Sequence, residues 1–376
     1  MLLMLAEVLR SCVVAASFPE SSILRTVCGQ QTHAAWVGFS LHDLIQPGFY
    51  LLVGVGLVFS LSRRRSSGQR PGDIARHTIV RSLVLVVLGM AVVSIHPREW
   101  NWVFTDTLTQ IGLAYPFLVL IALRPKRIWY MALAAIMVGY WLWFALSALP
   151  PSDFDYAAVG VAPDWLSAHG LSGLGAHWQK NSNVAVRVDR WLLNLFPRET
   201  NYTGDSTGLA TLNFIPSIAT MLLGCLAASV LVSNRSHARK LTVMITSGIA
   251  LIGGGWTLGV LGICPVVKAL WTPSWVLFSG GWCLLFLAAF YAVVDVAGLK
   301  RATFPLVVIG MNSIVAYCMA HAYPAVAFNS LRRIAGSQVF NAFGDAYEPM
   351  VYGATIILGY WLVLYVLYRR RIFVRL

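Results

Sequence analysis

Long apolar runs, separated by polar segments, recur along the chain from one end to the other. A run of about 20 apolar residues can cross the roughly 30 Å hydrocarbon layer of a membrane as a helix. The pattern therefore predicts an all-α, polytopic transmembrane bundle of about ten spans, with no β-barrel alternation. The predicted spans cover residues 1–17, 44–61, 79–95, 106–123, 128–149, 210–232, 241–260, 273–296, 305–327 and 349–368.

Two stretches depart from this pattern. The first run contains Glu7 and Arg10 and lacks a small-residue cleavage site, so it predicts a short first helix rather than a cleaved signal peptide. Residues 150–208 form a polar insert rich in Trp, Asn, Asp and Gly, and loops of this length are usually functional or packed on themselves. We expect residues 1–376 to form a single domain whose insert is a small lid over the outer mouth.

Glycines inside the later spans have two possible roles, because they allow either a neighbouring helix or a ligand to approach the backbone. They occur as GGGW at residues 253–256 and as the pair Gly280–Gly281. In membrane proteins such glycines most often permit close helix packing, which is therefore the favoured interpretation.

Composition and charge agree with a membrane protein and fix its expected orientation. The chain is 58% hydrophobic and 11% charged, with a net charge of +13. By the positive-inside rule, the basic connections and the C-terminus are cytoplasmic, and the His33 segment, the insert and residues 328–348 face outward. This predicts an integral plasma (inner) membrane protein with membrane lipid as a partner. The basic cytoplasmic loops account for the net charge, so no nucleic-acid partner is expected. The residues on the basic side are Arg63, Arg64, Arg65, Arg70, Arg76, Arg124, Lys126, Arg127, Arg235, Arg239, Lys240, Lys300, Arg301, Arg369, Arg370, Arg371 and Arg375.

The cysteines show no metal-binding or redox spacing. There are six, without a CxxC pair, and most lie in or beside apolar spans. We therefore expect them to pack as small apolar residues, with no disulfide and no metal site. They are Cys12, Cys28, Cys225, Cys264, Cys283 and Cys318.

The strongest candidate chemistry lies in HAAWVGFSLHDLIQPGFYLLVG, which begins at His33. Ionisable groups at the edge of hydrocarbon are functional candidates because they are costly unless they are paired or face a wet cavity. A neutral imidazole can take a proton or attack an activated acyl group, and a nearby carboxylate can orient it. The spacing permits a pair between His33 and Asp43 without requiring it, and His42 is the alternative partner. The structural alternatives are Asp43 as a helix N-cap and Trp36 as an interfacial anchor.

Other catalytic signatures are absent from the sequence. We find no serine nucleophile elbow, no HExxH motif and no P-loop. The basic stretch from Arg63 to Arg81 either orients the protein or clamps the phosphates of a nucleotide-like donor. If it clamps a donor, Arg76 and Arg81 are the predicted contacts, because they lie at the start of a span near the cytoplasmic entrance.

Six motifs together resemble the heparan-α-glucosaminide N-acetyltransferase family, and in particular its bacterial multi-pass branch. They occur in the family's order and span nearly the whole chain: HxxWxGxxxxDLIxPxFxxLVG, DTLTQIGLAYPF, TLNFIPSIATMLLG, LWTPSWVLFSGG, GMNSIVAY and YRRRIF. The resemblance implies a bundle of ten or eleven helices and acetyl transfer from cytosolic acetyl-CoA to a glucosamine on the far side.

The resemblance also implies roles for individual residues. His33 corresponds to the family's catalytic histidine, Asp43 to the aspartate of its D-L-x-x-P motif, and Asn312 to a pocket-lining asparagine. His321 lies one residue away from a histidine of the family pattern, so no role is carried onto it. The family also has a D-x-x-R-G segment before the first helix, whereas this sequence begins at Met1 within that helix.

These observations predict a transmembrane acyltransferase that moves an acetyl group from cytoplasmic acyl-CoA to an amino sugar or glycan outside. His33 would be general base or acyl carrier, Asp43 would orient an imidazole or the acceptor, and His42 would contact substrate. Trp36 would stack on a sugar, and acetyl-CoA would be a co-substrate with no metal. A homodimer is one assembly left open. The alternative is a permease for a sugar-like solute that uses the same outward pocket without chemistry.

Overall fold

The structure, a computed structural model, describes residues 1–95, 100–322 and 343–374, together with 330, 333, 336 and 338–341. Within these residues the regular structure is helical, which confirms the predicted all-α class. Seven of the described helices are long and apolar enough to cross a membrane, and one bent pair makes an eighth if it is counted as a span. The multi-pass prediction is confirmed, whereas the count of about ten spans is not.

The helices are numbered here in chain order. Short 3₁₀ turns precede or follow several of them, and a π-helical stretch, Ala292–Val296, follows α12. The bounds are α1 Leu2–Ala6, α2 Ser11–Ser17, α3 Ser22–Gln31, α4 Ile45–Ser66, α5 Pro71–Val93, α6 Thr107–Ala122, α7 Lys126–Ala145, α8 Pro163–His169, α9 Val184–Leu193, α10 Phe214–Leu231, α11 His237–Val260, α12 Pro273–Tyr291, α13 Phe304–Met311, α14 Ser313–Ala322 and α15 Glu348–Arg369.

The chain divides into two compact units. Unit 1 consists of Met1–Ala34, Ser40–Ile45 and Val293–Leu376, and unit 2 of Ala35–Phe39 and Gln46–Ala292. Unit 1 has its own apolar core, in which Leu5 packs with residues of α13, α14 and α15. At Gly353 of α15 an added Cβ would lie 2.3 Å from the carbonyl oxygen of Val8, so the two backbones are in direct contact.

The first predicted span, residues 1–17, is not a single helix. Arg10 adopts a left-handed conformation (φ 49°) and separates α1 and its 3₁₀ extension from α2. A residue with positive φ cannot continue a right-handed α-helix, whose residues all have φ of about −63°. The segment is therefore not among the candidate membrane spans of the described residues.

The cysteine prediction was wrong for one pair. Cys12 and Cys28 form a disulfide between α2 and α3, 16 residues apart in sequence. The two helices form a hairpin that brings the α-carbons within 4.6 Å, a proximity that neither the spacing nor the composition reveals. Cys225, Cys264 and Cys283 are buried free thiols, as predicted, and Cys318 is half-buried.

The predicted span 305–327 is bent rather than straight. The axes of α13 and α14 differ by 81°, and the break falls at Asn312. Residues 323–327 lie outside the described residues. The predicted span 106–123 corresponds to α6, which has 16 residues and is shorter than the candidate spans.

Unit 2 contains the remaining candidate spans, α4, α5, α7, α10, α11 and α12. An added Cβ at Gly54 would lie 1.8 Å from the carbonyl oxygen of Met221, and one at Gly224 would lie 2.0 Å from that of Leu51. Helices α4 and α10 therefore touch backbone to backbone at these glycines. The same holds for α11 and α12, where an added Cβ at Gly281 would lie 2.6 Å from the carbonyl oxygen of Gly248. Close helix packing, the favoured interpretation of these glycines, is thus confirmed at Gly281.

The insert belongs to unit 2 and carries α8 and α9. Its Trp178 and Ala185 are completely buried and join a core that includes Tyr140 and Phe144 of α7. The Trp178 and Phe144 rings are stacked, 5.9 Å apart between centroids. The insert is thus packed against the end of a membrane helix. Its role as a lid stays a prediction, as does the single-domain assignment.

Candidate functional site

Asp43 lies in a 3₁₀ turn, His42–Leu44, immediately before α4, and the residue is fully buried. Its Oδ2 atom accepts hydrogen bonds from the backbone amides of Ser40 (2.9 Å) and Ala34 (3.1 Å) and from the Ser40 hydroxyl (3.2 Å). Aspartate readily binds the amides of a neighbouring turn in this way. The carboxylate is consequently fixed in one orientation before any substrate is present.

The other carboxylate oxygen holds His33. Nδ1 of His33 lies 2.7 Å from Oδ1 of Asp43, and 58% of the histidine side chain is exposed. The acceptor-only carboxylate assigns the Nδ1 proton to the imidazole, so the lone pair of the neutral ring is on Nε2. The structure therefore brings together the two residues for which the sequence allowed a pair. It forms a histidine–carboxylate couple with an accessible ring.

His42, the alternative partner in the sequence, occupies a different position. Its ring packs against that of His33 with 4.6 Å between centroids, and only 8% of the residue is exposed. Its Nε2 atom is 3.9 Å from a carboxylate oxygen of Glu7, which is beyond hydrogen-bond distance. His42 thus supports one face of the His33 imidazole.

Sequence reasoning missed the residues that hold this turn. Gln30, near the end of α3, accepts a hydrogen bond from the Leu41 amide at 2.9 Å. Ser11 of α2 bonds Gln31 of α3, and the Cys12–Cys28 disulfide joins the same two helices. The serine three residues before Asp43 was a usable signal, because Ser and Asp at this spacing close a turn. The contact between Leu41 and Gln30 spans 11 residues and has no signature of its own in the sequence.

Trp36 belongs to unit 2 and is 2% exposed. Its indole N–H donates to the carbonyl oxygen of Trp178 at 3.2 Å, and its ring meets the edge of Trp165 at 5.8 Å. An added Cβ at Gly208 would approach the Trp36 ring to 2.5 Å, so the insert closes tightly over the indole. Sugar stacking by Trp36 stays a prediction that requires this ring to become accessible.

Asn312 stands at the break between α13 and α14 and is fully buried. Its amide N–H donates to the carbonyl oxygen of Ile372 at 3.0 Å, and its Oδ1 accepts from the amide of Val374 at 3.0 Å. The side chain thus fastens the C-terminal segment to the bent helix pair. Its predicted pocket-lining role is untested. His321 forms a hydrogen bond through Nδ1 with the carbonyl oxygen of Tyr317, and its imidazole stacks on the Tyr317 ring.

The two predicted donor-binding arginines lie on α5, whose helix starts at Pro71, earlier than the predicted span. Arg76 is exposed. The Arg81 guanidinium lies 4.5 Å over the Tyr115 ring and donates to its hydroxyl at 3.1 Å. Arg81 therefore has an aromatic partner inside unit 2, and phosphate binding by either arginine stays a prediction.

A second buried carboxylate, Asp189 of α9, lies in the insert. Its Oδ2 accepts from the amide of Thr211 at 2.9 Å. Burial raises the pKa of Asp189 to about 6, and the negative charge of Asp205 acts in the same direction. Among the described residues, no group of three or more His, Cys, Asp or Glu has the geometry for a metal ion.

Comparison with known proteins gives two related sequences, while no family model matches the chain. Heparan-alpha-glucosaminide N-acetyltransferase of Homo sapiens is 25% identical over 330 residues, covering 76% of this chain and 48% of the human protein. The enzyme of the same name from Mus musculus is 23% identical over 386 aligned positions, covering 91% of this chain and 56% of the mouse protein. The chain thus spans about half the length of the curated relatives it matches.

These similarities confirm the resemblance drawn from the six motifs. Together with the apolar helices, they support an integral, multi-pass membrane protein. The similarity extends over most of this sequence rather than over one motif, and it supports membership of the chain, as a distant relative, in the heparan-alpha-glucosaminide N-acetyltransferase family.

Proposed function

We propose that the protein is a transmembrane acetyltransferase that uses acyl-CoA and acetylates an amino sugar or glycan. One observation carries the proposal: the exposed imidazole of His33 is held through Nδ1 at 2.7 Å by the buried carboxylate of Asp43. A couple of this kind is suited to acyl transfer, because it supplies a base of fixed tautomer next to solvent. The names of the two relatives support acetyl transfer as the reaction class.

Two routes are compatible with this geometry. In direct transfer, an acceptor amine or hydroxyl attacks the thioester carbonyl while Nε2 of His33 takes its proton. The carbon–sulfur bond breaks, and the leaving thiolate receives that proton. In covalent transfer, Nε2 attacks first, and the thiolate leaves and takes up a proton from water. The acceptor then displaces the imidazole from the acetyl group and releases its own proton to water. Both routes yield free CoA and an acetylated acceptor.

Asp43 serves the same purpose in both routes. Its carboxylate stabilises the positive charge that develops on the His33 ring and prevents the ring from turning. Because Oδ2 is already bound by two backbone amides and the Ser40 hydroxyl, the carboxylate needs no reorganisation during the reaction. Its role is therefore to position and stabilise the imidazole, while the proton moves at Nε2.

The charge pattern and the disulfide support the proposed orientation. The basic connections and the C-terminus are assigned to the cytoplasm by the positive-inside rule. The Cys12–Cys28 disulfide precedes His33 in the chain, and disulfides persist in oxidising compartments, which supports an outer location for this segment. The donor would then arrive from the cytoplasm and the acceptor from outside.

The test is release of free thiol from acetyl-CoA by purified protein in detergent, with a panel of amino sugars as acceptors. Thiol should form only when a suitable acceptor is present, or as a single burst without one if the acetyl group is carried on His33. His33→Ala should lower turnover by about 10²-fold or more. The matched control is His169→Ala, an exposed histidine of α8 in unit 2, which should leave turnover unchanged. Full activity in a folded His33→Ala protein would exclude the mechanism.

The permease alternative gives the opposite result in this assay. A permease moves solute across a sealed membrane and consumes no thioester. Solute uptake into vesicles without thiol release would therefore replace the acetyltransferase proposal.

Orientation is tested by single cysteines at Ser66 and Ser172, both exposed, in a protein that lacks Cys318. An impermeant maleimide added to intact cells should label position 172 and not position 66. Labelling of both from outside would contradict the orientation.

A further inference from the structure

A cavity of about 500 Å³ lies along the last turns of α4, within unit 2. Its helical lining residues recur three and four positions apart, so they share one face of α4 and point into the same space. Gln69, in the turn before α5, completes the wall. The lining residues are Gly56, Phe59, Ser60, Arg63, Arg64, Ser67 and Gln69.

The cavity is strongly basic. Arg63 and Arg64 line it, and its lining includes no acidic side chain. The Arg64 guanidinium donates through Nε to the Ser60 hydroxyl at 3.3 Å and through Nη1 to Oε1 of Gln69 at 3.1 Å. These neutral partners orient the guanidinium without neutralising its charge. A planar, pre-oriented guanidinium is well suited to phosphate oxygens.

The shape of the cavity adds a second requirement. No heavy atom lies within 4 Å of a Cβ built on Gly56, so this glycine leaves open space beside α4. The Phe59 ring, which also lines the cavity, is 48% exposed. An open aromatic face close to two guanidinium groups fits a ligand that joins phosphates to a flat, stackable ring.

We propose that this cavity binds the nucleotide half of the acyl-CoA donor, with its phosphates on Arg63 and Arg64 and its adenine on Phe59. The inference rests on the proposed function and adds to it a donor subsite distinct from Arg76 and Arg81. Orientation in the membrane explains why arginines occur here. It does not explain why they share an open cavity with an aromatic ring and two orienting polar groups.

The test measures CoA binding by calorimetry with protein in nanodiscs of phosphatidylcholine. Arg63→Gln and Arg64→Gln should each weaken binding about 10- to 100-fold, the range for one lost charge-assisted hydrogen bond. Arg64→Lys should weaken it less, because the charge remains and the planar fork is lost. Arg127→Gln, on another basic connection, is the matched control and should bind CoA as the parent does.

Gly56→Leu tests whether CoA binding needs the open space of the cavity as well as its charge. The substitution keeps every arginine, meets no atom within 4 Å at its Cβ, and projects an isobutyl group from the cavity wall into the open space. It should weaken CoA binding at least tenfold while leaving thermal unfolding unchanged. If Gly56→Leu and both glutamine variants bind CoA as tightly as the parent, or if the parent binds no CoA, the cavity is not a donor site.

An anionic phospholipid offers the same phosphate chemistry, and a second arm distinguishes it. Phosphatidylglycerol is introduced into the nanodiscs and the CoA titration is repeated. If CoA is the ligand, binding should persist in the presence of this lipid and remain sensitive to Arg63 and Arg64. Complete loss of CoA binding would assign the cavity to lipid and overturn the proposal.

Acetyl-pantetheine, which carries the thioester without the nucleotide, separates this inference from the proposed function. With an active enzyme, Arg64→Gln should raise the KM for acetyl-CoA about 10- to 100-fold and leave the reaction with acetyl-pantetheine unchanged. If the parent transfers acetyl from neither donor but binds CoA through Arg63 and Arg64, the function fails and the cavity assignment stands. Equal effects on both donors would overturn the nucleotide subsite.

Discussion

Asp43 and Asp189 are both fully buried carboxylates, but their surroundings differ in kind. Asp43 holds an exposed imidazole through one oxygen and accepts three hydrogen bonds through the other. Asp189 accepts the Thr211 amide through Oδ2, and its Oδ1 has no hydrogen-bond partner within the described part of the chain. The raised pKa belongs to Asp189, whereas the exposed histidine ring is held by Asp43. The histidine partner and the exposed ring distinguish the candidate site.

The largest expected difference between the two acids is in turnover. Asp43→Asn should lower thiol release by about 10²-fold or more, because an amide neither fixes the His33 tautomer nor stabilises its charged form. Asp189→Asn should leave turnover within about twofold, because the hydrogen bond that Asp189 accepts comes from the Thr211 amide rather than from a histidine. Rates of thiol release by both purified variants make the measurement. Equal losses in the two variants would mean that burial, rather than the histidine couple, is what matters.

For the pH dependence of stability, Asp189 should matter more than Asp43. The pKa of Asp189 is raised from 3.8 to about 6, so the folded protein holds this proton more tightly than the unfolded chain. Stability should therefore fall by something on the order of 3 kcal/mol as the pH rises from about 4 to about 6. Asp189→Asn should abolish this fall, while Asp43→Asn should retain it. Unfolding in detergent across this pH range decides the matter.

Asn312, unlike the two acids, is a neutral buried group whose amide N–H and carbonyl oxygen both have hydrogen-bond partners. Asn312 is fully buried and makes two hydrogen bonds to the backbone at Ile372 and Val374. Asn312→Ala should cost about 2 kcal/mol, since it removes both bonds and leaves buried backbone groups unpaired. Asn341→Ala is the control, because its bond to Asp345 is exposed, and it should cost under about 0.5 kcal/mol. Similar midpoints of chemical unfolding for both variants would show that the two hydrogen bonds of Asn312 do not stabilise the fold.

The sequence predicted elements whose signal is local and continuous. The predicted spans 210–232 and 273–296 coincide with the described helices Thr211–Leu231 and Pro273–Val296, because uninterrupted apolar runs of this length determine a span by themselves. The expected span 1–17 failed where one residue, Arg10, adopts a left-handed conformation. At the 81° bend, Asn312 likewise bonds backbone groups about 60 residues further along the chain. Backbone conformation and long-range bonds leave no trace in hydrophobic periodicity.

The candidate site shows the same division. His33 and Asp43 were identified because they occur together at the edge of a span, and Ser40 lies close enough in sequence to have been found. The Cys12–Cys28 disulfide required the α2–α3 hairpin to be known, and the bond from Leu41 to Gln30 required the end of α3 to be placed beside the turn. The cavity at Arg63 and Arg64 was also out of reach, because charge at this position is equally expected from orientation alone.

The smallest expected effect concerns Arg81, whose Nε is buried without a hydrogen-bond partner in the described residues although its guanidinium rests on Tyr115. Like Asp189, this half-buried arginine has one buried polar atom without a hydrogen-bond partner among the described residues. Arg81→Lys keeps the charge but loses the planar contact with the ring, so it should cost about 0.5–1 kcal/mol of stability. Tyr115→Phe retains the ring and loses only the hydroxyl at 3.1 Å, so it should cost no more than Arg81→Lys. Unfolding of both variants in detergent measures these costs, and CoA titration of the same samples gives a second readout. If Arg81 serves packing alone, both variants bind CoA as the parent does. A tenfold weaker affinity in Arg81→Lys, with Tyr115→Phe unaffected, would instead place a donor phosphate on this guanidinium.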